Sequence, residues 1–130
     1  MDQDTTKKTV KDPEGLDVYQ KADKLVLEIY AITNKYFPAE ERFCLSSQLR
    51  RSAISVPANI AEGFNRQYIN DYIRFVRISL ASLSESIYYI KLATKLRYLP
   101  VKNSQVLLRN AEEIARMLQG LIHSLKKYQK

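Results

Sequence analysis

The sequence predicts an all-α protein, an antiparallel up-down-up-down four-helix bundle. Three observations predict it. Apolar residues recur at alternating steps of three and four along four stretches, the spacing that gathers side chains on one face of a helix. The 130 residues include only three glycines and four prolines, too few to punctuate many short strands. The connections between the periodic stretches, near residues 36–38, 63–68 and 97–103, are short, and short connections make neighbouring helices antiparallel.

The first 15 residues, MDQDTTKKTVKDPEG, are polar. They read as a flexible tail without the apolar run of a signal peptide, which leaves residues 16–130 for the bundle. The first helix carries Val18, Ala22, Leu25, Ile29, Ile32 and Tyr36 on one face, with Asp17 as its expected N-cap. Pro38 ends it, because proline disfavours helical geometry in the residue before it.

Pro38 also suits the first turn of a second helix, with Glu40 and Glu41 at the positive end of its dipole. That helix lines up Leu45, Leu49, Ala53, Val56, Ile60 and Phe64, and Gly63 is its expected C-terminal glycine. Pro57 falls in its middle. A proline there removes one N–H donor and pushes the helix to kink. Glu62 and Arg66 stand four residues apart, a favourable ion-pair spacing.

The third helix has the longest seam: Ile69, Ile73, Val76, Leu80, Leu83, Ile87 and Ile90. The fourth repeats the pattern with Leu107, Ala111, Ile114, Leu118, Leu121, Leu125 and Tyr128, and starts after Pro100 with Asn103 or Ser104 as N-cap.

Composition narrows the function. A chain 45% hydrophobic and 27% charged has the balance of a folded globule, which argues against disorder. Its one cysteine, Cys44, excludes an internal disulfide and any Cys-rich zinc site. The single cysteine fits a reduced, cytoplasmic setting, and no stretch reaches the ~18 apolar residues of a membrane span, so no membrane partner is expected. The net charge of +7 is distributed unevenly: residues 1–65 hold 9 basic and 10 acidic side chains, residues 66–130 hold 12 and 4. The excess in the second half points to an anionic partner such as nucleic acid, or to a basic surface that serves solubility.

The third helix shows where that charge lies. One flank of its seam holds Arg74, Arg77, Ala81, Ser84, Tyr88, Lys91 and Lys95, with no acid. Cations on one accessible face suit phosphates, and an aromatic among them can stack on a base. The same line also reads as a solvated flank whose long stems cover the edge of the core. The opposite flank, with Ser79, Ser82 and Ser86 at its centre, is small enough to admit a neighbouring helix. The back carries Ile78 and Leu92, with Tyr89 and Leu96 near, either as scattered surface residues or as a patch for a second subunit.

Catalytic chemistry finds little support. His123 is the single histidine, so a His-based metal site or His–Asp pair is not expected. Cys44 reads as a packing residue. The adjacent pairs Glu40–Glu41 and Glu112–Glu113 splay around their helices, and no Glu-x-x-His or glycine-rich phosphate loop occurs. The expectation is a non-enzymatic protein without metal or other cofactor.

The stretches SSQLRRSAISVPANIAEGFNR, DYIRFVRISLASLSE and YYIKLATKLRYL, with the opening DVYQK of residues 17–21, resemble the four-helix-bundle family also called the 23S rRNA intervening-sequence proteins. The resemblance runs from about residue 16 to 128. It implies a small basic bundle, related to accessory proteins of diversity-generating retroelements, which are pentameric and bind a reverse transcriptase and nucleic acid. It carries over no catalytic residue. Members often turn between the second and third helices through a Gly-Arg-Gly-Ser-type sequence. This chain has Asn65-Arg66-Gln67-Tyr68, so the cap role is expected to pass to Asn65.

Two main functions follow. The first is an oligomeric nucleic-acid-binding protein for RNA or structured nucleic acid, with contacts from Arg50, Arg51, Arg66, Arg74, Arg77, Lys91, Lys95 and Arg97 and a homo-oligomer contact at Ile78, Tyr89, Leu92 and Leu96. The second is a protein-interaction scaffold, such as a reverse-transcriptase accessory subunit. A toxin–antitoxin or stress module rests on small size and charge alone.

Overall fold

Four α-helices carry the chain in the computed structural model, which describes residues 11–129. They are α1 (Asp17–Tyr36), α2 (Leu45–Phe64), α3 (Ile69–Lys95) and α4 (Val101–Lys126), with short 3₁₀ turns at Pro13–Gly15 and Ala39–Glu41. No strand occurs among the described residues. Each helix packs on the next, and α1 closes on α4, so the four form a bundle around one core. The first ten residues of the expected tail lie outside the described residues. Residues 11–15 are held: Asp12 caps the first 3₁₀ turn through the N–H of Glu14, and the Asn65 side chain exchanges two hydrogen bonds with the Lys11 backbone.

The apolar spacing becomes the core almost residue for residue. Leu25, Ile29, Leu49, Ile60, Leu83, Ile90, Ile114 and Leu118 are fully buried. Burying a side chain of this size contributes ~1.5–3 kcal/mol. The lines drift at their ends. Thr33 is buried where Ile32 is only half-buried, and Tyr128 lies exposed beyond the end of α4.

In α3 the buried stripe lies closer to the small-residue flank than the seam alone suggests. Ser79, Ser82, Ser86 and Ala93 are buried, while Ile69, Leu80 and Ile87 are only half-buried. The reason is α2. Ser52 meets Ser86 and Ser55 meets Ser82, each at 2.8 Å, and Ser79 Oγ donates to the Val56 carbonyl at 2.9 Å. Numbers rise in α2 as they fall in α3, so these two helices are antiparallel. Small hydroxyl side chains let them approach closely while satisfying their own polar atoms.

Gly63 works in the same interface. The sequence marks it as a C-terminal glycine, but α2 continues to Phe64, and no glycine among the described residues has positive φ. A Cβ there would stand 2.9 Å from Tyr72 Cδ1 and 3.0 Å from Phe75 Cβ. The position needs a glycine for close approach of α3.

The helix starts depart most from expectation, because no N-cap side chain holds any of the four. Asp17 is the first residue inside α1, after Leu16. Pro38 is extended (ψ 152°) and opens only the 3₁₀ turn, so α2 begins at Leu45. There the Glu41 carboxylate accepts the Leu45 N–H at 3.1 Å and supplies the missing cap from four residues upstream. Cys44, expected inside a helix, is exposed at this junction. Asn65 closes α2 and does not open α3, whose N-cap is Tyr68. Asn103 and Ser104 lie inside the first turn of α4, and Ser104 is buried. The α2 helix runs unbroken across Pro57, whose ring nitrogen leaves the Ala53 carbonyl without its helical donor.

Candidate nucleic-acid interface

The basic flank of α3 is solvent-exposed along its whole length. Arg74, Arg77, Ala81, Ser84, Tyr88, Lys91 and Lys95 all stand on the surface. From Arg74 to Lys95 the line covers about 30 Å at the helical rise. Tyr88 and Tyr89 pack edge to face, with ring centroids 5.7 Å apart, and Tyr88 remains 59% exposed. Arg77, Lys91 and Lys95 have no ionic partner among the described residues.

At the start of α3 two cations share one ring. The guanidiniums of Arg66 and Arg74 lie 4.6 and 4.7 Å from the Phe75 centroid. Each also has an acid: Glu62 bonds Arg66 at 2.7 Å, as its four-residue spacing predicts, and Asp71 lies 3.8 Å from Arg74. Both pairs are exposed, so each holds its arginine only loosely.

At the other end, α3 closes in a Schellman turn. Tyr98 N–H donates to the Ala93 carbonyl and Arg97 N–H to that of Thr94, both at 3.0 Å. Arg97 occupies the left-handed position (φ 66°) where glycine is usual. This turn presents Arg97 beside Lys95, both exposed.

The remaining predicted cations lie elsewhere. Arg51 is exposed on α2. Arg50 turns to α1, whereas Ser52 and Ser55 of the same helix turn to α3. Its Nε donates to Thr33 Oγ1 and its Nη2 to Asn34 Oδ1, both at 2.8 Å, and its Cζ lies 4.5 Å from the Tyr30 centroid. Arg50 is therefore separate from the α3 line.

Known proteins add the family. The sequence model of the 23S rRNA-intervening sequence protein family matches residues 14–120. The chain belongs to that family. Among solved structures, it is similar to a protein of unknown function from the S23 ribosomal protein family of Bacteroides thetaiotaomicron. The two share 25% identity at a TM-score of 0.75, over 81% of this chain and 97% of the other. The comparison with curated proteins gave no match.

In this member of the intervening-sequence family, the predicted subunit contact divides in two. Ile78 and Leu96 are exposed at 37% and 46%, while Tyr89 and Leu92 are half-buried against the core. Sequence reasoning missed other exposed apolar side chains. Ile54 and Leu27 fall off the apolar lines of their helices by position, a signal that was available. Phe43, 84% exposed, stands just before α2 beneath the Arg42 guanidinium, and became visible only when the start of that helix moved to Leu45. Among the described residues no helix is long and apolar enough to cross a membrane. His123 is exposed in the last turn of α4.

Proposed function

We propose that this intervening-sequence protein is a non-enzymatic, cytoplasmic, oligomeric nucleic-acid-binding protein, with RNA or structured nucleic acid lying along α3. One observation carries the reading: an exposed flank of α3 that holds two pairs of cations, Arg74 with Arg77 and Lys91 with Lys95, about 21 Å apart, an exposed tyrosine between them and no acid, on the more basic half of the chain. Phosphates bind such a face by releasing counterions, and Tyr88 offers a stacking surface. A salt-dependent titration with RNA and DNA tests it. Affinity falls steeply between low and moderate salt if the reading holds; affinity that hardly changes with salt overturns it.

Exposed Ile78 and Leu96 favour a homo-oligomer, and the family resemblance suggests a pentamer. The same apolar surface supports a second reading, a protein-interaction scaffold serving a reverse transcriptase. Light scattering measures the assembly. A monomer at all concentrations removes the oligomer from this proposal, and a pull-down that retains no polymerase counts against the scaffold.

A further inference from the structure

A cavity of about 370 Å³ opens at the junction of α1 and α2, with Thr33, Asn34, Ala39, Arg42, Ser46 and Arg50 in its lining. Its polar walls are rich in donors. A guanidinium has five N–H groups. Arg50 spends one on Thr33 and one on Asn34, which leaves three without a partner among the described residues. Those two bonds and the Tyr30 ring fix the guanidinium in place before any ligand arrives. Asn34 accepts through Oδ1, so its amide N–H₂ remains available. Ser46 is only 6% exposed, lines the cavity, and its hydroxyl makes no hydrogen bond among the described residues. A buried hydroxyl without a partner is uncommon and costs stability. Arg42 also lines the rim, with its guanidinium resting over the neighbouring exposed Phe43 ring.

No acid lines this space. Of the two carboxylates adjacent in sequence to the lining, Glu41 is occupied by the Leu45 N–H and the Tyr98 hydroxyl, and Glu40 is exposed and close enough to Tyr98 to act on its phenol. The ligand that complements two guanidiniums, an amide N–H₂ and a hydroxyl is an acceptor-only anion of high charge. We infer that this cavity is a binding site for a terminal phosphate, the phosphomonoester end of a nucleotide or of an RNA strand. A monoester carries nearly two negative charges near neutral pH and matches the two arginines, whereas a backbone diester carries one. The cavity exceeds the size of a bare phosphate and has room for the attached sugar. The site does not depend on the α3 line, because Arg50 faces α1.

Equilibrium dialysis against radiolabelled inorganic phosphate, in chloride at physiological ionic strength, tests the site directly. Saturable binding near one phosphate per chain is expected. The exposed Arg42→Ala change weakens it by about tenfold, the scale of one charge-assisted hydrogen bond. Ser46→Asp abolishes it by placing a carboxylate among the donors. Arg77→Glu on α3 leaves it unchanged, which separates this site from the α3 reading. Absence of saturable binding overturns the inference. So does full-strength binding in Arg42→Ala and Ser46→Asp chains that melt like the wild type.

Displacement of the label identifies the source. Adenosine monophosphate competing as well as a 5′-phosphorylated RNA marks a free nucleotide as the ligand. A clear advantage of the 5′-phosphorylated RNA marks a strand end. A 5′-hydroxyl RNA that competes equally well overturns the terminal-phosphate assignment.

Discussion

Ser52 Oγ and Ser86 Oγ meet at 2.8 Å in the buried interface between α2 and α3, and both are already committed to backbone. Ser52 donates to the Leu49 carbonyl at 3.0 Å and Ser86 to the Ser82 carbonyl at 3.1 Å. Each hydroxyl has one hydrogen, so the contact between them is made by one hydrogen shared between two acceptors.

Removing either hydroxyl leaves the other without that contact. Ser86→Ala is expected to destabilise the fold by ~1 kcal/mol, the usual worth of one buried hydrogen bond. The Ser52→Ala, Ser86→Ala double variant costs less than the sum, because the second change removes a group that has already lost its partner. Ser86→Leu costs about 3 kcal/mol by overpacking a side chain with no exposed surface. Urea unfolding of the wild type and four variants, Ser52→Ala among them, measures all three values.

Two glycines predict opposite signs for the same substitution. Ala at position 63 meets the Phe75 Cβ and the Tyr72 backbone carbonyl, neither of which can rotate away. Gly63→Ala is therefore expected to cost ~1–3 kcal/mol despite the better helix propensity of alanine. Gly120 lies on the exposed side of α4 with nothing within 4 Å of a Cβ. Gly120→Ala is expected to stabilise the protein by ~0.5–1 kcal/mol. Thermal melts of both variants give the comparison, and a destabilised Gly120→Ala contradicts the open environment.

These residues mark what was legible in the sequence. The period of three and four located every helix, because burial at that spacing leaves few alternatives for Leu25, Leu49, Leu83 or Leu118. It placed the start of α3 at Ile69, but it did not locate the caps or the starts of α2 and α4. Start signals rely on capping side chains, and here Leu16, Cys44, Tyr68 and Pro100 hold those positions. The cap of α2 comes from Glu41, upstream and across a 3₁₀ turn that no periodicity reveals. The basic flank of α3 was readable because surface and core alternate around one long helix. The Arg50 cavity was not: it joins residues 33–34 to residues 42–50, and its unpartnered Ser46 is a matter of three-dimensional contact.

Arg97 holds a backbone conformation that costs an L residue ~1–2 kcal/mol. The Schellman bonds of Arg97 and Tyr98 keep it there, helped by burial of Leu99 and the packing of Tyr98 on Phe37 at 5.9 Å. Arg97→Gly is expected to raise stability by ~1 kcal/mol, less than the full strain because glycine also loosens the unfolded chain. The same change removes a cation beside Lys95. A gain in melting temperature with weaker RNA binding shows an arginine retained at the expense of stability.

Tyr98 makes the fold sensitive to alkali. Its hydroxyl donates to Glu41 Oε2 at 2.9 Å. That hydrogen bond raises the Tyr98 pKa above 10.0, reinforced by burial and by the charges of Glu41 and Glu40. The folded chain then holds a proton that the unfolded chain has already released, so stability falls as pH rises. The contribution is full below about pH 10, the unfolded phenol value, and is lost as pH passes the raised folded value. Tyr72, raised by burial, and Tyr19, raised by burial and by Asp23, Glu14 and Asp12, act in the same direction. Tyr98→Phe is expected to make the decline of stability above pH 10 shallower, while lowering stability at neutral pH. Denaturant unfolding at a series of pH values checks the slope.

The cations of α3 differ in how free they are, and nucleic-acid binding should rank them accordingly. Arg77 and Lys91 stand exposed without an ionic partner among the described residues. Arg74 shares its charge with Asp71 and its face with Phe75. A phosphate that recruits Arg74 must displace a carboxylate, whereas one that recruits Arg77 displaces only counterions. Arg77→Ala and Lys91→Ala are each expected to reduce the salt slope of binding by about one unit, and Arg74→Ala by less. All three are surface changes, so their melts should stay within ~0.5 kcal/mol of the wild type. Asp71→Ala runs the other way: it frees Arg74 and tightens binding. Fluorescence anisotropy of labelled RNA across a salt series measures every slope. Equal slopes in wild type, Arg77→Ala and Lys91→Ala would move the interface off this face of α3.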